Sequence, residues 1–540
     1  MIEVLAGLSI LAGSIPLAPA IAPSPVVVSV TIGAPVDNHQ SGRIIIFAKK
    51  LADPAKPDTA VGFDVFTPSA VSIAAREVAD LTAGKVAQVD GETDSFPSPF
   101  STLVGTYEFQ AVLDRNHDYN YSGRSAGDLI SKVVTVSLPG AIPTLVLDQE
   151  IPPLDETSAV RKNASSQSWP VVRQWLPHLK GINFQSTTMT AFRGAPTFIR
   201  GWVALPPGYD GKSRFPTVYS DGGFGSSIYS AESKAAMTMA EMAAGKSPPM
   251  IWVYLDHSGA TGLSEFANSA NNGPWATALT TEFIPWLETQ YAMDSRPSGR
   301  FLTGHSSGGW SALWLQVRYP KMFGGTWPTS PDPSDFHAFL GVDLYAPNAN
   351  LYRDPVGAEY PLARDKGKAF VTVEEYARSE ATMGQIGGQM ASFEWVFSPR
   401  GANGQPVPLF DRVTGKVDPL VATYWRDNYD IASIMKRDWA HLKHDLDGKI
   451  HLTVGAADTF YLDRPAHRLA DVMRALGAKT DFRFVPGKTH FDLYERGGDP
   501  SALLQDIGWE MYAVARPQSK RRAPHPTPKS DIGLAVEHGR

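Results

Sequence analysis

The sequence predicts an α/β protein with a mostly parallel sheet, preceded by a small, sandwich-like all-β domain. From residue 25 to 150, short apolar segments of period two alternate with Gly, Pro, Asp and Asn clusters, as strands and turns do. From 181 to about 515, strand-like and helix-like segments alternate, which favours parallel strands joined by right-handed crossovers. Residues 151–180, rich in proline and small polar residues, are predicted to be a linker with one short helix at 171–176.

Composition supports a globular chain of about two to four domains. Of the 540 residues, 43% are hydrophobic and 19% charged, enough apolar mass for a buried core. A net charge of -6 gives no electrostatic footprint for nucleic acid. The absence of cysteine excludes disulfides, thiolate metal sites and cysteine nucleophiles.

The two ends of the chain carry separate signals. Residues 1–22 are predicted to be a signal peptide, because an apolar segment ends in an A-x-A motif at residues 18–20. Glu3 stands where a basic residue is usual, so secretion or periplasmic export is the expectation and a cytoplasmic location the alternative. No other segment approaches 18 uninterrupted apolar residues, so no stable membrane span is expected. Residues 516–540 are predicted to be a disordered tail.

In the all-β domain, strands are predicted at residues 26–32, 43–48, 61–66, 85–89, 106–113 and 132–138. Oxygen-bearing side chains at Asp114, Asn116 and Asp118 alternate as in a calcium loop. The loop has no glycine at its sixth position and has Ser125 where an EF-hand needs glutamate. A solvated hairpin loop is therefore favoured, with calcium binding as the alternative.

In the α/β domain the elements are predicted in chain order. Strands are expected at residues 184–190, 197–205, 217–220, 250–255, 300–303, 323–327, 449–454 and 480–485, and helices at 232–244, 275–291, 310–318, 464–476 and 502–515. Residues 328–447 are too many for a loop and are predicted to form a cap insertion. The cap is rich in aromatic residues, which are expected to form its interior, with an aromatic-binding cleft as the alternative: Trp395, Trp425, Trp439, Tyr424 and Tyr429.

The pattern G-x-S-x-G at 304–308 lies between a predicted strand and a predicted helix, the order that a nucleophile elbow needs. Ser306 is the predicted nucleophile. Side chains at Gly304 and Gly308 would collide with the neighbouring strand and helix in so tight a turn.

An activated serine needs a base and an acid that orients the base, each on a loop after a later strand. His490 follows the strand at 480–485 through a glycine turn and is the predicted base. Asp458 follows the strand at 449–454 and is the predicted acid; its rival Asp463 is expected to cap the next helix.

The tetrahedral intermediate needs two backbone N–H groups. One is predicted from Ser307, directly after the nucleophile. The other is predicted from Gly223 in the glycine-rich loop after the strand at 217–220, with Phe224 as second choice.

Taken together, these motifs resemble the putative-esterase family of α/β-hydrolases, which includes esterase D, enterochelin esterases, feruloyl esterases and mycolyltransferases. The matching segments, within residues 182–512, are 205–209 (LPPGY), 221–223 (DGG), 304–309 (GHSSGG), 319–320 (YP) with Phe323, 455–458 (GAAD) and 487–490 (GKTH). The resemblance implies an α/β-hydrolase fold. An Asp-Gly pair at the oxyanion loop, where many members have His-Gly, and the long cap leave the substrate class open.

The sequence thus predicts a serine carboxylic-ester hydrolase that forms an acyl-enzyme on a small-molecule or polymer-linked ester, without metal or cofactor. An acyltransferase or peptidase using the same triad, or an inactive binding protein with the same fold, is the alternative. The all-β domain supplies none of the predicted catalytic groups, so it is expected to act in docking or positioning. The oligomeric state is left open.

Overall fold

The computed structural model describes residues 26–521, apart from 35, 37–38, 54–57, 93, 118–121 and 385. The predicted signal peptide and residues 522–540 of the predicted tail lie outside the described residues. Across the described ranges, no helix combines the length and apolar character needed to cross a bilayer.

The N-terminal domain is all-β, as predicted. Its described part contains nine strands in one hydrogen-bonded sheet, of order β4-β1-β9-β7-β6-β2-β3-β5, with β8 also paired to β6. The strands are Val27–Ile32 (β1), Gln40–Lys50 (β2), Val71–Leu81 (β3), Ala87–Asp90 (β4), Ser95–Phe96 (β5), Gly105–Asp114 (β6), Leu129–Ser131 (β7), Val134–Leu138 (β8) and Leu145–Glu150 (β9).

One strand prediction in this domain was wrong, and four observed strands, β3, β5, β7 and β9, were not predicted. Residues 61–66 do not pair with any strand, although Val61, Phe63 and Val65 are buried alternately as in a strand. They lie in an apolar cluster that contains residues of both domains, and Phe63 also contacts Phe47 of β2. Alternating burial outside a sheet cannot be distinguished by periodicity from alternating burial within one. Strand β3 was missed, because its alanines and charged residues are weak strand formers.

Residues 151–180 contain two helices where the sequence predicted one. They are Glu156–Lys162 (α1) and Trp169–Trp175 (α2). The first begins after Asp155, whose carboxylate accepts the N–H of Ser158. Val160 and Val172 are fully buried in a cluster shared with the helix at 228–243. The segment is therefore a packed layer of the second domain.

The second domain is built on an eight-stranded sheet of order β10-β11-β13-β12-β18-β19-β22-β23, parallel from β13 onward and antiparallel at the β10-β11 edge. Its strands and the small hairpins between them are Lys180–Gln185 (β10), Phe198–Ala204 (β11), Thr217–Asp221 (β12), Ile251–Asp256 (β13), Ser258–Gly259 (β14), Gly262–Leu263 (β15), Asn268–Ser269 (β16), Gly273–Pro274 (β17), Arg300–His305 (β18), Gly325–Thr329 (β19), Pro361–Asp365 (β20), Lys368–Thr372 (β21), His451–Gly455 (β22) and Asp481–Val485 (β23).

Helices cover both faces of this sheet and form part of the cap. They are Thr187–Arg193 (α3), Ile228–Ala243 (α4), Trp275–Ala278 (α5), Ile284–Gln290 (α6), Ser307–Arg318 (α7), Val373–Met383 (α8), Gln389–Phe397 (α9), Pro419–Asn428 (α10), Ile431–Leu446 (α11), Asp463–Ala475 (α12) and Ala502–Ala515 (α13). Along β13, Trp252 and Tyr254 join one buried cluster while Val253 and Leu255 join another, so the strand is buried on both faces.

One helix replaces part of a predicted strand. The strand predicted at 184–190 ends at Gln185, and α3 begins at Thr187. The Ser186 hydroxyl accepts the N–H of Met189 and caps the helix. The shortened strand, β10, pairs with β11 in antiparallel orientation.

The cap at 328–447 contains the β20-β21 hairpin and helices α8 to α11. Trp425 is 1% exposed, with ring centroids of Phe336, Phe339 and Phe397 at 5.8, 5.5 and 5.1 Å. Trp439 is also buried and donates its indole N–H to the carbonyl of Leu476. Trp425 thus lies in the interior of the cap, as the favoured interpretation of its sequence predicted, whereas Trp439 joins the cap to the end of α12.

Candidate active site

Ser306 occupies a strained turn between β18 and α7. Its backbone angles are φ 58° and ψ -125°, a region that non-glycine residues rarely adopt. A Cβ added at Gly304 would lie 2.1 Å from the carbonyl oxygen of Gly308, and one at Gly308 would lie 2.5 Å from that of Gly222. The steric reason predicted for both glycines is therefore present, and the turn has the geometry of a nucleophile elbow.

His490 and Asp458 meet across the ends of two adjacent parallel strands, β23 and β22. His490 Nδ1 lies 3.0 Å from Asp458 Oδ2. The other carboxylate oxygen accepts the backbone N–H groups of Phe460 at 2.9 Å and Leu462 at 3.3 Å. Asp458 is fully buried and His490 is 4% exposed. The loop thus fixes the carboxylate, and the carboxylate can hold the imidazole with Nε2 free to act as a base.

The Ser306 hydroxyl is directed to a different carboxylate. Among the described residues it donates a long hydrogen bond, of 3.5 Å, to Asp332 Oδ1, and it makes none to His490. Ser307 Oγ donates to Asp332 Oδ2 at 2.6 Å, and the N–H of Asp332 donates to the carbonyl of Ser306 at 3.2 Å. Burial raises the pKa of Asp332 to about 6, against the opposing effects of the Ser307 hydroxyl and His490.

Sequence reasoning missed Asp332. Its position three residues beyond β19, the strand that pairs with β18, was the available signal. The carboxyl ends of adjacent parallel strands meet at one edge of a sheet, so a polar residue there should be tested as a neighbour of the nucleophile.

The two predicted oxyanion donors flank Ser306. Ser307 is the first residue of α7, where backbone N–H groups have no partner within the helix. A Cβ built on Gly223 would lie 2.9 Å from Ser306 Cβ and 3.5 Å from its Oγ, so the backbone of Gly223 lies directly beside the nucleophile. Phe224, the second choice, contributes to the wall of the adjoining cavity.

Ionisable groups are buried beneath the oxyanion loop. Burial raises the pKa of Asp221 to about 8, lowers that of His257 to about 3 and lowers that of Lys234. Burial raises the pKa of Glu265 well above its usual range, and the nearby Asp332 and Asp221 add to that effect. At neutral pH the uncharged forms of Asp221 and His257 are therefore favoured, and the raised pKa of Glu265 acts in the same direction, which limits negative charge close to the expected oxyanion.

The alternative candidates for the acid and for the base lie in other elements of the fold. Asp463 does not cap α12 as expected, because Leu462 holds the N-cap position; Asp463 is the first residue of the helix and pairs with Arg364 at 2.8 Å. His441 and His444 lie in α11, His451 begins β22 and His467 lies in α12, whereas His525 is outside the described residues.

A cavity of about 540 Å³ opens onto Ser306 and His490. Its wall is mostly apolar and includes Phe66, Phe224, Leu340, Leu362, Met390, Phe393, Phe460, Leu462, Phe491 and Leu504. One of these residues, Phe66, belongs to the N-terminal domain. An ester bond at Ser306 would thus have a large apolar space beside it.

One cluster of possible metal ligands lies outside this cavity. Asp335, His337 and Asp430 lie close together, but Asp335 already pairs with His337 at 2.7 Å and Arg468 at 3.3 Å. Asp430 accepts the Tyr345 hydroxyl at 2.6 Å. The atoms that could bind a metal ion are therefore already engaged in contacts with other side chains.

The loop for which calcium binding was the alternative interpretation begins with a turn that its own residues stabilise. Asp114 Oδ1 accepts the N–H groups of Asn116 and His117 at 3.1 and 2.7 Å. Asp118 lies outside the described residues.

The elbow, the parallel sheet and the buried imidazole–carboxylate pair define a serine hydrolase with the α/β-hydrolase fold. The family model described as Putative esterase matches residues 197–499. The chain belongs to that family and is a serine esterase, as its sequence predicted.

Similar solved structures include a ferulic acid esterase at 15% identity, covering 62% of this chain and 98% of that one, with a TM-score of 0.38. An S-formylglutathione hydrolase from Agrobacterium tumefaciens is 14% identical, with coverages of 62% and 95% and a TM-score of 0.37. The fluorophosphonate-binding serine hydrolase F of Staphylococcus aureus is 14% identical, with coverages of 62% and 98% and a TM-score of 0.34. No curated protein sequence gives a significant match.

Proposed function

We propose that the protein hydrolyses carboxylic esters through an acyl-enzyme on Ser306, with His490 as general base and Asp458 as the acid that orients it. The observation that supports this most strongly is the buried 3.0 Å contact between His490 and Asp458, beside a serine in a strained elbow. The buried carboxylate favours the tautomer in which His490 Nδ1 carries the proton.

The first step transfers the Ser306 proton to His490 Nε2 while Oγ attacks the ester carbonyl. Because Ser306 Oγ faces Asp332 in this structure, its side chain first rotates toward His490. The tetrahedral oxyanion then accepts hydrogen bonds from the N–H groups of Ser307 and Gly223. His490 passes its proton to the departing alcohol, which leaves the acyl-enzyme.

Water completes the cycle. His490 takes a proton from the water, the resulting hydroxide attacks the acyl carbonyl, and Ser306 regains its proton as the acid leaves. Asp332 keeps its hydrogen bonds to Ser307 and to the Ser306 backbone, and so holds the first turn of α7, which supplies one oxyanion donor, in place.

Substitution of Ser306 and of His490 tests the proposal. Ser306→Ala and His490→Ala should each lower kcat for a small aryl ester by at least about a thousandfold, with an unchanged circular dichroism spectrum. His444→Ala is the matched control, because His444 is 92% exposed. Retention of activity by Ser306→Ala would contradict the proposal. Release of the free acid, measured against formation of a new ester with added alcohol, separates hydrolysis from acyl transfer.

A further inference from the structure

The segment 61–66 of the N-terminal domain is packed into the second domain. Val61, Phe63 and Val65 are 0%, 8% and 3% exposed. They belong to the same apolar cluster as Met383, Met390 and Phe393 of the cap. The N-terminal domain therefore shares a core with the cap and is not merely tethered to it.

Phe66, the next residue, continues this segment into the wall of the cavity at Ser306. Its ring centroid lies 6.2 Å from that of Phe370 in the cap and 6.1 Å from that of Phe460. Phe460 in turn lies 4.9 Å from the ring of His490. Two ring contacts thus connect the N-terminal domain to the proposed base.

The position of Phe66 is fixed by a turn. Asp64 Oδ1 accepts the N–H of Phe66 at 2.9 Å, and Asp64 Oδ2 accepts the Thr67 hydroxyl at 3.1 Å. The N–H of Thr67 donates to the carbonyl of Asp64 at 3.0 Å and closes the turn.

Two contacts fasten the domain at opposite ends of helix α8. The buried guanidinium of Arg43 donates to the carbonyl of Thr382, near the C-terminal end, at 2.8 and 3.1 Å. Ser69 Oγ donates to Glu375 in the first turn at 2.8 Å. Because the N-terminal domain is bound to both ends of α8, Phe66 lies in a preformed part of the cavity wall.

We propose that Phe66 is a specificity-determining residue, and that the enzyme acts on esters whose acyl or alcohol group carries an aromatic or branched apolar moiety. The inference rests on the proposed function. A cavity of about 540 Å³ with Phe66 in its wall has room for a bulky apolar group beside Ser306, whereas a short acyl group fills little of that volume. The N-terminal domain was expected to act in docking or positioning, and Phe66 makes it part of the cavity wall as well.

Three esters measured on Phe66→Ala test the inference. Ethyl acetate is small on both sides, ethyl 2-naphthoate is bulky on the acyl side, and 2-naphthyl acetate is bulky on the alcohol side. The kcat/KM of Phe66→Ala should fall about tenfold, mainly through KM, for at least one naphthyl ester, because apolar contact to the substrate is lost. The value for ethyl acetate should stay within about twofold, and the naphthyl ester affected identifies the side that faces Phe66.

Val104→Ala is the matched control, because Val104 lies in the same domain and is 68% exposed. Phe66→Leu retains apolar packing and should show a smaller loss than Phe66→Ala. The rate at which a fluorophosphonate labels Ser306 reports an intact site in each variant and should not change.

Equal kinetics of wild type and Phe66→Ala on both naphthyl esters, with normal labelling, would overturn the role of Phe66 and leave the proposed function standing. An equal loss on all three esters would also overturn it. A wild-type protein that is neither labelled nor active on any ester would instead overturn the proposed function, and the inference with it.

Discussion

Ser306 Oγ and Asp332 Oδ1 lie 3.5 Å apart, so the proposed nucleophile has a carboxylate neighbour that is not the proposed triad acid. Asp332 follows β19, whereas Asp458 follows β22, the next strand of the sheet. Two carboxylates thus approach the site, and Asp458 is the one that contacts His490 Nδ1. Their different contacts predict different consequences of substitution.

Asp332→Asn should retain kcat within about tenfold of wild type, because the asparagine carbonyl can still accept the Ser307 hydroxyl while His490 stays oriented by Asp458. Steady-state kinetics on a small aryl ester measures this.

Asp458→Asn provides the comparison. It should lower kcat by at least about a hundredfold, because the amide oxygen keeps the N–H groups of Phe460 and Leu462 while the NH2 group faces His490 Nδ1 and favours the wrong tautomer. Asp463→Asn, the rival in sequence, should change kcat less than about tenfold. A loss in Asp332→Asn as large as that in Asp458→Asn would reassign the triad acid.

Gly223→Ala should lower kcat by about a hundredfold or more, because the added Cβ would lie 2.9 Å from Ser306 Cβ and displace the proposed oxyanion donor. Gly62→Ala is a matched control, since a Cβ there meets no atom within 4 Å. Single-turnover kinetics on both variants checks the effect on chemistry. Wild-type kcat in Gly223→Ala would exclude this loop from the oxyanion hole.

Asp221→Asn should stabilise the protein relative to wild type, increasingly so between about pH 4 and pH 8. Burial raises the folded-state pKa of Asp221 to about 8, whereas an unfolded aspartate ionises near 3.9. Over that interval the unfolded chain releases a proton that the folded protein keeps, so wild type loses stability as pH rises. Melting curves of both proteins at several pH values give the difference in Tm.

Asp210→Asn is the control for that experiment. Backbone N–H groups of Ser213 and Lys212 lower the pKa of the exposed Asp210 carboxyl. It is ionised in both states above about pH 5, so its Tm difference should stay constant between about pH 5 and 8. A Tm difference for Asp221→Asn that shrinks with rising pH would contradict the burial argument.

Arg43→Met should destabilise the protein by about 2 kcal/mol, because the Thr382 carbonyl loses a charged donor at a buried contact. Thermal and urea unfolding measure the change, and KM for the naphthyl ester that Phe66 recognises should rise as the domain loosens. Arg76→Met is the matched control, since Arg76 is exposed and, among the residues that the structure describes, donates to the carbonyl of Gln88 in its own domain. Equal stability of the two variants would refute the anchoring role of Arg43.

The sequence predicted the parts of the site that depend on local signals. The elbow, the loop of Asp458 and the loop of His490 each follow a strand ending in a recognisable turn, and the structure brings all three to one edge of the sheet. The helix at 502–515 was predicted with its observed bounds, because its apolar periodicity is uninterrupted.

Asp332 and Phe66 could not be predicted in the same way. Asp332 becomes a neighbour of Ser306 only once β19 pairs with β18. The alternating residues before Phe66 look like a strand, and only the packing of the two domains shows that they belong to an apolar cluster that both domains share. Such information lies in contacts between residues distant in sequence.

The central claim, that Ser306 is an activated nucleophile, is tested most directly by reaction with a fluorophosphonate followed by intact-mass measurement and peptide mapping. The account predicts one adduct per chain, on Ser306, that is absent in Ser306→Ala and slowed by at least about a hundredfold in His490→Ala. A folded wild-type protein that remains unlabelled, or that carries the adduct on a residue other than Ser306, would contradict it.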